Sequence, residues 1–135
     1  MPSVSLTGFN RNLIYGDGFN KIMDESFLST VDVTQWHTYT IEWKPESISW
    51  FLDGKRLLML NATTSKSVKL MSKPQKLMMN IWNPDFQPWN TGFNAALLPA
   101  VTKYDYVQVW SYTAATGEFK ELWKDNFQTW NADRW

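Results

Sequence analysis

At 135 residues, with 44% hydrophobic and 16% aromatic side chains, the chain is long enough for one domain with a sizeable core and too apolar for a disordered tail. Thirteen basic and thirteen acidic residues cancel, and no run of Lys or Arg stands out, which argues against nucleic acid or an anionic membrane as the main partner. The absence of Cys excludes disulfides, thiolate metal sites and a cysteine nucleophile, and no apolar stretch reaches the length of a membrane span.

The opening "MPSVSLTGFN" has neither the basic start nor the apolar core of a signal peptide. Asp17, Asp32, Asp85 and the pair Asp24-Glu25 lie in turn-like sequence, where Asp serves local hydrogen bonding. "WHTYTIEW" alternates, with Trp36, Thr38, Thr40 and Glu42 on one face and His37, Tyr39, Ile41 and Trp43 on the other, until Pro45 breaks the run. "SISWFLDGKRLLML" predicts a hairpin about Asp53-Gly54, two positions that tolerate positive φ. "QKLMMNIW" predicts a strand with Met78, Asn80 and Trp82 opposite Leu77, Met79 and Ile81, followed by the loop "NPDFQPWNTGFN". "YDYVQVWSY" alternates again, "TAATGE" is the one candidate linker, and "LWKDNFQTWNADRW" ends the chain on what reads as the opening strand of a domain. No helical period extends beyond two turns. The predicted class is therefore all-β with short strands, a sandwich or barrel.

Nine Trp exceed what a small core absorbs, and the remainder suit a surface that binds something flat and partly apolar, such as a sugar. Asn80 beside Trp82 is a pairing of that kind: the amide bonds ring hydroxyls and the indole stacks on a pyranose, with Trp89 as a second platform. A plainer reading of the same residues has Trp82 filling the core and Asn80 capping a backbone group. Glycoside hydrolysis needs two carboxylates across the scissile bond. Glu42 and Glu46 are separated by Pro45, Glu121 and Asp125 lie in the unusual ending, and none of the thirteen acids forms a convincing pair. His37, the single histidine, has no second His with which to build a metal site and reads as a packed, hydrogen-bonded residue. "NAT" at Asn61 is a glycosylation acceptor pattern in a polar loop.

"WHTYTIEWKPESISWFLDGK", "PQKLMMNIWN" and "KYDYVQVWSY", in this order and spacing, resemble the C-terminal half of glycoside hydrolase family 16, the group that includes lichenases and laminarinases. "GFNRNLIYG" resembles the family's strand that follows the catalytic one. The ending resembles the opening of an ordinary member, the arrangement of circularly permuted lichenases or of a tandem second domain. The resemblance implies a concanavalin A-like jelly-roll β-sandwich, here an incomplete piece of one. It divides the chain into residues 1–113 as a partial glucanase domain, 114–118 as linker, and 119–135 as the permuted opening segment. The family's catalytic motif, E-x-D-x-E or E-x-D-x-x-E, is expected just upstream of Met1, so the chain alone is expected to be inactive and no catalytic residue is assigned within it.

By the same resemblance Asn10, Asn12, Asn80, Trp82 and Trp89 match substrate-binding positions of the cleft, while Met78 stands where permuted lichenases can carry an Arg. Asp105 resembles the Asp that helps hold a structural Ca²⁺, with backbone oxygens near Asn126. The implied whole protein is a secreted, monomeric, retaining endo-β-1,3-1,4-glucanase with β-glucan as its partner. The alternatives are a non-catalytic, lectin-like β-glucan-binding jelly roll and a laminarinase with different subsites.

Overall fold

The computed structural model describes residues 8–16, 21–28, 30–81 and 95–135. The chain divides into two compact units, Met1–Lys76 and Leu77–Trp135.

In the first unit, β1 (Phe9–Tyr15) pairs antiparallel with β2 (Ile22–Leu28), with Phe9 opposite Leu28 and Tyr15 opposite Ile22. The two-residue period of β1 buries Arg11 and Leu13 and leaves Asn10 and Ile14 exposed. Asp24 and Glu25, read from sequence as part of a turn, are instead inside β2. The ladder to β1 supplies their backbone partners and overrides the weak strand preference of acidic residues.

A three-stranded meander follows: β3 (Tyr39–Lys44), β4 (Ser47–Leu52) and β5 (Lys55–Asn61), with β4 in the middle. Pro45 and Glu46 make the first turn, so Glu42 and Glu46 share no strand. Asp53 and Gly54 make the second, at φ values of 49° and 77°, the doubly left-handed pair expected for a primed hairpin turn. The ladder of β4 and β5 slips by one residue beyond Trp50, leaving Leu57 without an opposite number.

After β5 the chain turns on Asn61, whose Oδ1 accepts from the amides of Thr63 and Thr64, and enters α1 (Lys66–Leu70). Ser65 caps α1 by accepting from the Val68 amide at 3.2 Å, and its hydroxyl donates to Asp24 Oδ2 at 2.7 Å, which pins the helix to β2. A one-turn helix shows no period in the sequence. Its position is nevertheless central, because Val68, 1% exposed, joins Leu13 of β1 with Ile48 and Trp50 of β4 in the core. Trp43, Leu58, Leu60, Ala62 and Met71 pack around them. Each such buried side chain contributes about 1.5–3 kcal/mol.

In the second unit, a 3-10 turn at Ala95–Leu97 precedes β6 (Val107–Thr113) and β7 (Glu118–Asp125), an antiparallel hairpin. Its turn, 114–117, closes with Thr113 O accepting from the amides of Thr116 and Gly117, and Gly117 sits at φ 73°. The stretch read as a linker is this turn plus the first residue of β7. Residues 75–81, the described part of the stretch 75–82 where alternation predicts a strand, form none. A strand needs a neighbour for its backbone bonds, and no described segment pairs with this one, so Leu77, Met78 and Ile81 stay exposed. The strand predicted from Tyr104 likewise starts three residues later, at Val107. The described chain is all-β in antiparallel sheets apart from α1 and the 3-10 turn, the class that the sequence predicts. No described helix is long and apolar enough to cross a membrane.

Candidate functional site

The strand period of β1 puts Asn10 and Asn12 on the face away from Leu13. Asn10 is exposed. Asn12 is half-buried, and neither its amide nitrogen nor its amide oxygen has a hydrogen-bond partner, although both are covered from solvent. An amide in that state holds an unmet donor and an unmet acceptor side by side, the complement of a pair of neighbouring ring hydroxyls.

The other expected contacts belong to the second unit. Asn80 is exposed in the irregular segment 75–81, two residues after Met78, which is 76% exposed. Trp82 and Trp89 lie outside the described residues, as does the loop that carries them. The described tryptophans bear on the surplus noted in the composition: Trp50 is buried, Trp43, Trp123 and Trp135 are half-buried, and Trp36, Trp110 and Trp130 are exposed.

The acidic side chains of the described residues are mostly engaged locally. Glu42 pairs with Lys44 at 2.9 Å, and Asp24 accepts from Ser65. Glu121, exposed on β7, accepts from the Gln108 side chain. Asp125, the one buried acid, accepts from Trp135 Nε1 at 2.7 Å, the Phe127 amide at 2.9 Å and Arg134 at 3.5 Å. These bonds, that from Trp135 foremost, hold its carboxyl below the usual carboxylate range. It is occupied as a structural acceptor and not poised as an acid or a nucleophile.

Asp105 is exposed, two residues ahead of β6. Because Val107 stands opposite Asp125, Asp105 and Asn126 flank the same end of the hairpin. Ca²⁺ takes about six to eight oxygens, and no group of three or more His, Asp or Glu side chains that could hold a metal ion is found among the described residues. One carboxylate would supply one or two of them, and backbone oxygens such as those near Asn126 are of the type that would supply others.

Sequence reasoning missed two polar clusters. One is the Asp125 cluster. The other joins His37, Asp53 and Asp32: His37 is hydrogen-bonded, as the sequence predicts, but its partners were not named, and their signal was the Asp-Gly turn, which brings Asp53 level with Thr38 once β3 is paired to β4.

A family model, glycosyl hydrolases family 16, matches residues 7–108. Among curated relatives, a β-glucanase of Fibrobacter succinogenes is 30% identical over 133 residues, covering 94% of this chain and 37% of that protein. A β-glucanase of Paenibacillus polymyxa is 36% identical over 92 residues, covering 67% of this chain and 34% of that protein. A Crh-like protein 2 of Aspergillus fumigatus is 40% identical over 52 residues, covering 35% of this chain and 12% of that protein. The chain spans about a third of the length of the two β-glucanases it matches.

Proposed function

Because the chain belongs to glycosyl hydrolase family 16, we propose that it is part of a secreted, retaining endo-β-1,3-1,4-glucanase and that its share of the work is to bind the glucan. What carries this reading is the match to a β-glucanase along 94% of the chain, continuing past residue 108 where the family model stops. In the permuted order, β7 and the residues after it are the family's opening segment. The antiparallel strands are then a portion of the family's jelly-roll sandwich.

In this reading Asn10 and Asn12 on β1 are substrate-binding residues of the first unit, and Asn80, Trp82 and Trp89 are substrate-binding residues of the second. Amides take ring hydroxyls and indoles stack on pyranose faces. For the covered amide of Asn12 to act, the groups over it must move when the glucan arrives. Bond cleavage is assigned to a pair of carboxylates outside these residues, about 5 Å apart, one forming a glycosyl-enzyme intermediate and the other serving as acid and then base. A polymer too large to enter a cell places the enzyme outside it. A structural Ca²⁺ at Asp105 would draw most of its oxygens from groups other than those described.

The test is titration of the 135-residue chain with a mixed-linkage glucan oligosaccharide, alongside a reducing-sugar assay on barley β-glucan. The expected result is binding that Asn12→Ala and Trp82→Ala each weaken about tenfold, the loss of about 1.4 kcal/mol of contact, with no reducing ends released. Release of reducing ends by this chain would overturn the assignment of catalysis, and indifference of binding to both substitutions would overturn the cleft. Binding of the glucan by a full-length chain that never cleaves it would favour the lectin-like alternative.

A further inference from the structure

His37 is the single histidine of the chain, and both of its ring nitrogens face acceptors. Nδ1 lies 2.8 Å from Asp53 Oδ2, in the turn between β4 and β5, and Nε2 lies 3.1 Å from the backbone carbonyl of Asp32. Neither acceptor can donate. A neutral imidazole carries one N–H and can satisfy one of them, whereas the imidazolium satisfies both. The second oxygen of Asp53, Oδ1, accepts from the Thr38 amide at 2.9 Å, and the Asp53 amide donates to Thr38 O at 2.9 Å. This adds one rung to the ladder of β3 and β4, just ahead of the pair Tyr39 and Leu52.

We propose that His37, Asp53 and the Asp32 carbonyl form a proton-dependent latch that fastens residues 32–38 to the turn between β4 and β5, closed while the imidazole is doubly protonated and loosened when it loses a proton.

The titratable groups facing the ring are few. Asp53 comes from the hairpin turn. Asp32, in the preceding loop, offers its carbonyl, while its carboxylate is engaged by the Thr34 amide at 3.0 Å and the Thr34 hydroxyl at 2.5 Å. Tyr39, on β3, packs edge-on to the ring at 6.2 Å; burial pushes its hydroxyl above the ordinary value of 10.0, so it stays neutral throughout. The hydrogen bond to Asp53, and then that to Asp32, raise the imidazole above its ordinary value of 6.5, and the Thr38 amide followed by His37 lowers the Asp53 carboxyl. A raised folded-state pKa gives stability that is complete below the unfolded value and disappears as pH rises through the folded one. A depressed carboxyl has the opposite sense, so the latch is closed only between the lowered titration of Asp53 and the raised titration of His37. This inference stands apart from the glucanase reading and does not depend on it.

A single histidine gives a single imidazole NMR signal, which makes the full chain its own probe. The signal is expected to titrate above 6.5, and hydrogen-exchange protection of the Thr38 amide is expected to drop several-fold across that titration relative to Leu58 on β5. Asp53→Asn retains an oxygen for the Thr38 amide and removes the charge; it should return the His37 titration toward 6.5 and abolish the pH step. If Asp53→Asn does not fold, His37→Gln should abolish the step instead. The proposal is overturned if His37 titrates at or below 6.5, if Thr38 protection follows Leu58 at every pH, or if the step survives either substitution.

Discussion

The two compact units are held by different means. Every buried apolar side chain among the described residues, Leu13, Val31, Ile48, Trp50 and Val68, belongs to Met1–Lys76. The one buried residue described in Leu77–Trp135 is a carboxylate, Asp125. Around it Trp135 packs edge-on to Trp123 at 6.4 Å and tilted on Phe127 at 5.5 Å, with the Arg134 guanidinium 4.2 Å from the Trp123 ring centre. The first unit gains stability from area removed from water, which tolerates loss in proportion to area. The second depends on a few directional bonds meeting at one acid, so one change removes them together.

Trp50→Ala is expected to have the largest effect. Truncating a buried aromatic costs about 3–5 kcal/mol, a large share of a small domain's total stability. Hydrogen exchange resolved by residue should show lost protection in β3, β4 and β5 and unchanged protection in β6 and β7. If both sets of amides open together, the two units are one cooperative body and the comparison fails. Asp125→Ala should do the reverse: the Trp135 indole N–H and the Phe127 amide lose their acceptor, Phe127 at φ 58° loses the bond that holds its left-handed backbone, and tryptophan emission shifts to the red while the β3 to β5 amides keep their protection.

Two glycines provide a matched pair of smaller effects. Gly54 at φ 77° and Gly117 at φ 73° each close a hairpin, one in each unit, and a Cβ at either would meet nothing within 4 Å. With steric contact excluded, only backbone strain remains, about 1–2 kcal/mol for a non-glycine residue held left-handed. Gly54→Ala and Gly117→Ala should therefore cost the same within error, each lowering protection only in its own hairpin. A much greater cost at one of them would show that its turn carries more than its own closure.

How much of this was legible in the sequence follows the same division between local and non-local causes. The turn at Asp53-Gly54 was readable because two adjacent residues determine it, whereas Asn10 and Asn12 were named by the resemblance alone and their shared face comes from the observed strand β1. β2 was not readable: "IMDESFL" has a poor strand composition, and its pairing to β1 decides the outcome. α1 is too short to show a period, and its stability comes from Val68 in the core and Ser65 at its cap. "QKLMMNIW" failed in the other direction, since its alternation is clear but no described strand pairs with residues 75–81. The candidate site divides in the same way. A motif can name Asn80 and Asp105, but the partners that would make them a site are non-local.

The smallest expected effect separates the units by sign. In the first unit, the raised imidazole of His37 contributes stability that is complete below its unfolded value and fades as pH rises through its folded one. In the second, the depressed carboxyl of Asp125 contributes stability that is present above its unfolded value and fades as pH falls through its folded one. A pH series of exchange protection should therefore weaken Thr38 toward alkaline pH and Phe127 toward acid pH, with His37→Gln removing only the first trend and Asp125→Ala only the second. Parallel trends at the two amides would mean that a global change in charge controls both, and that neither cluster governs its own unit.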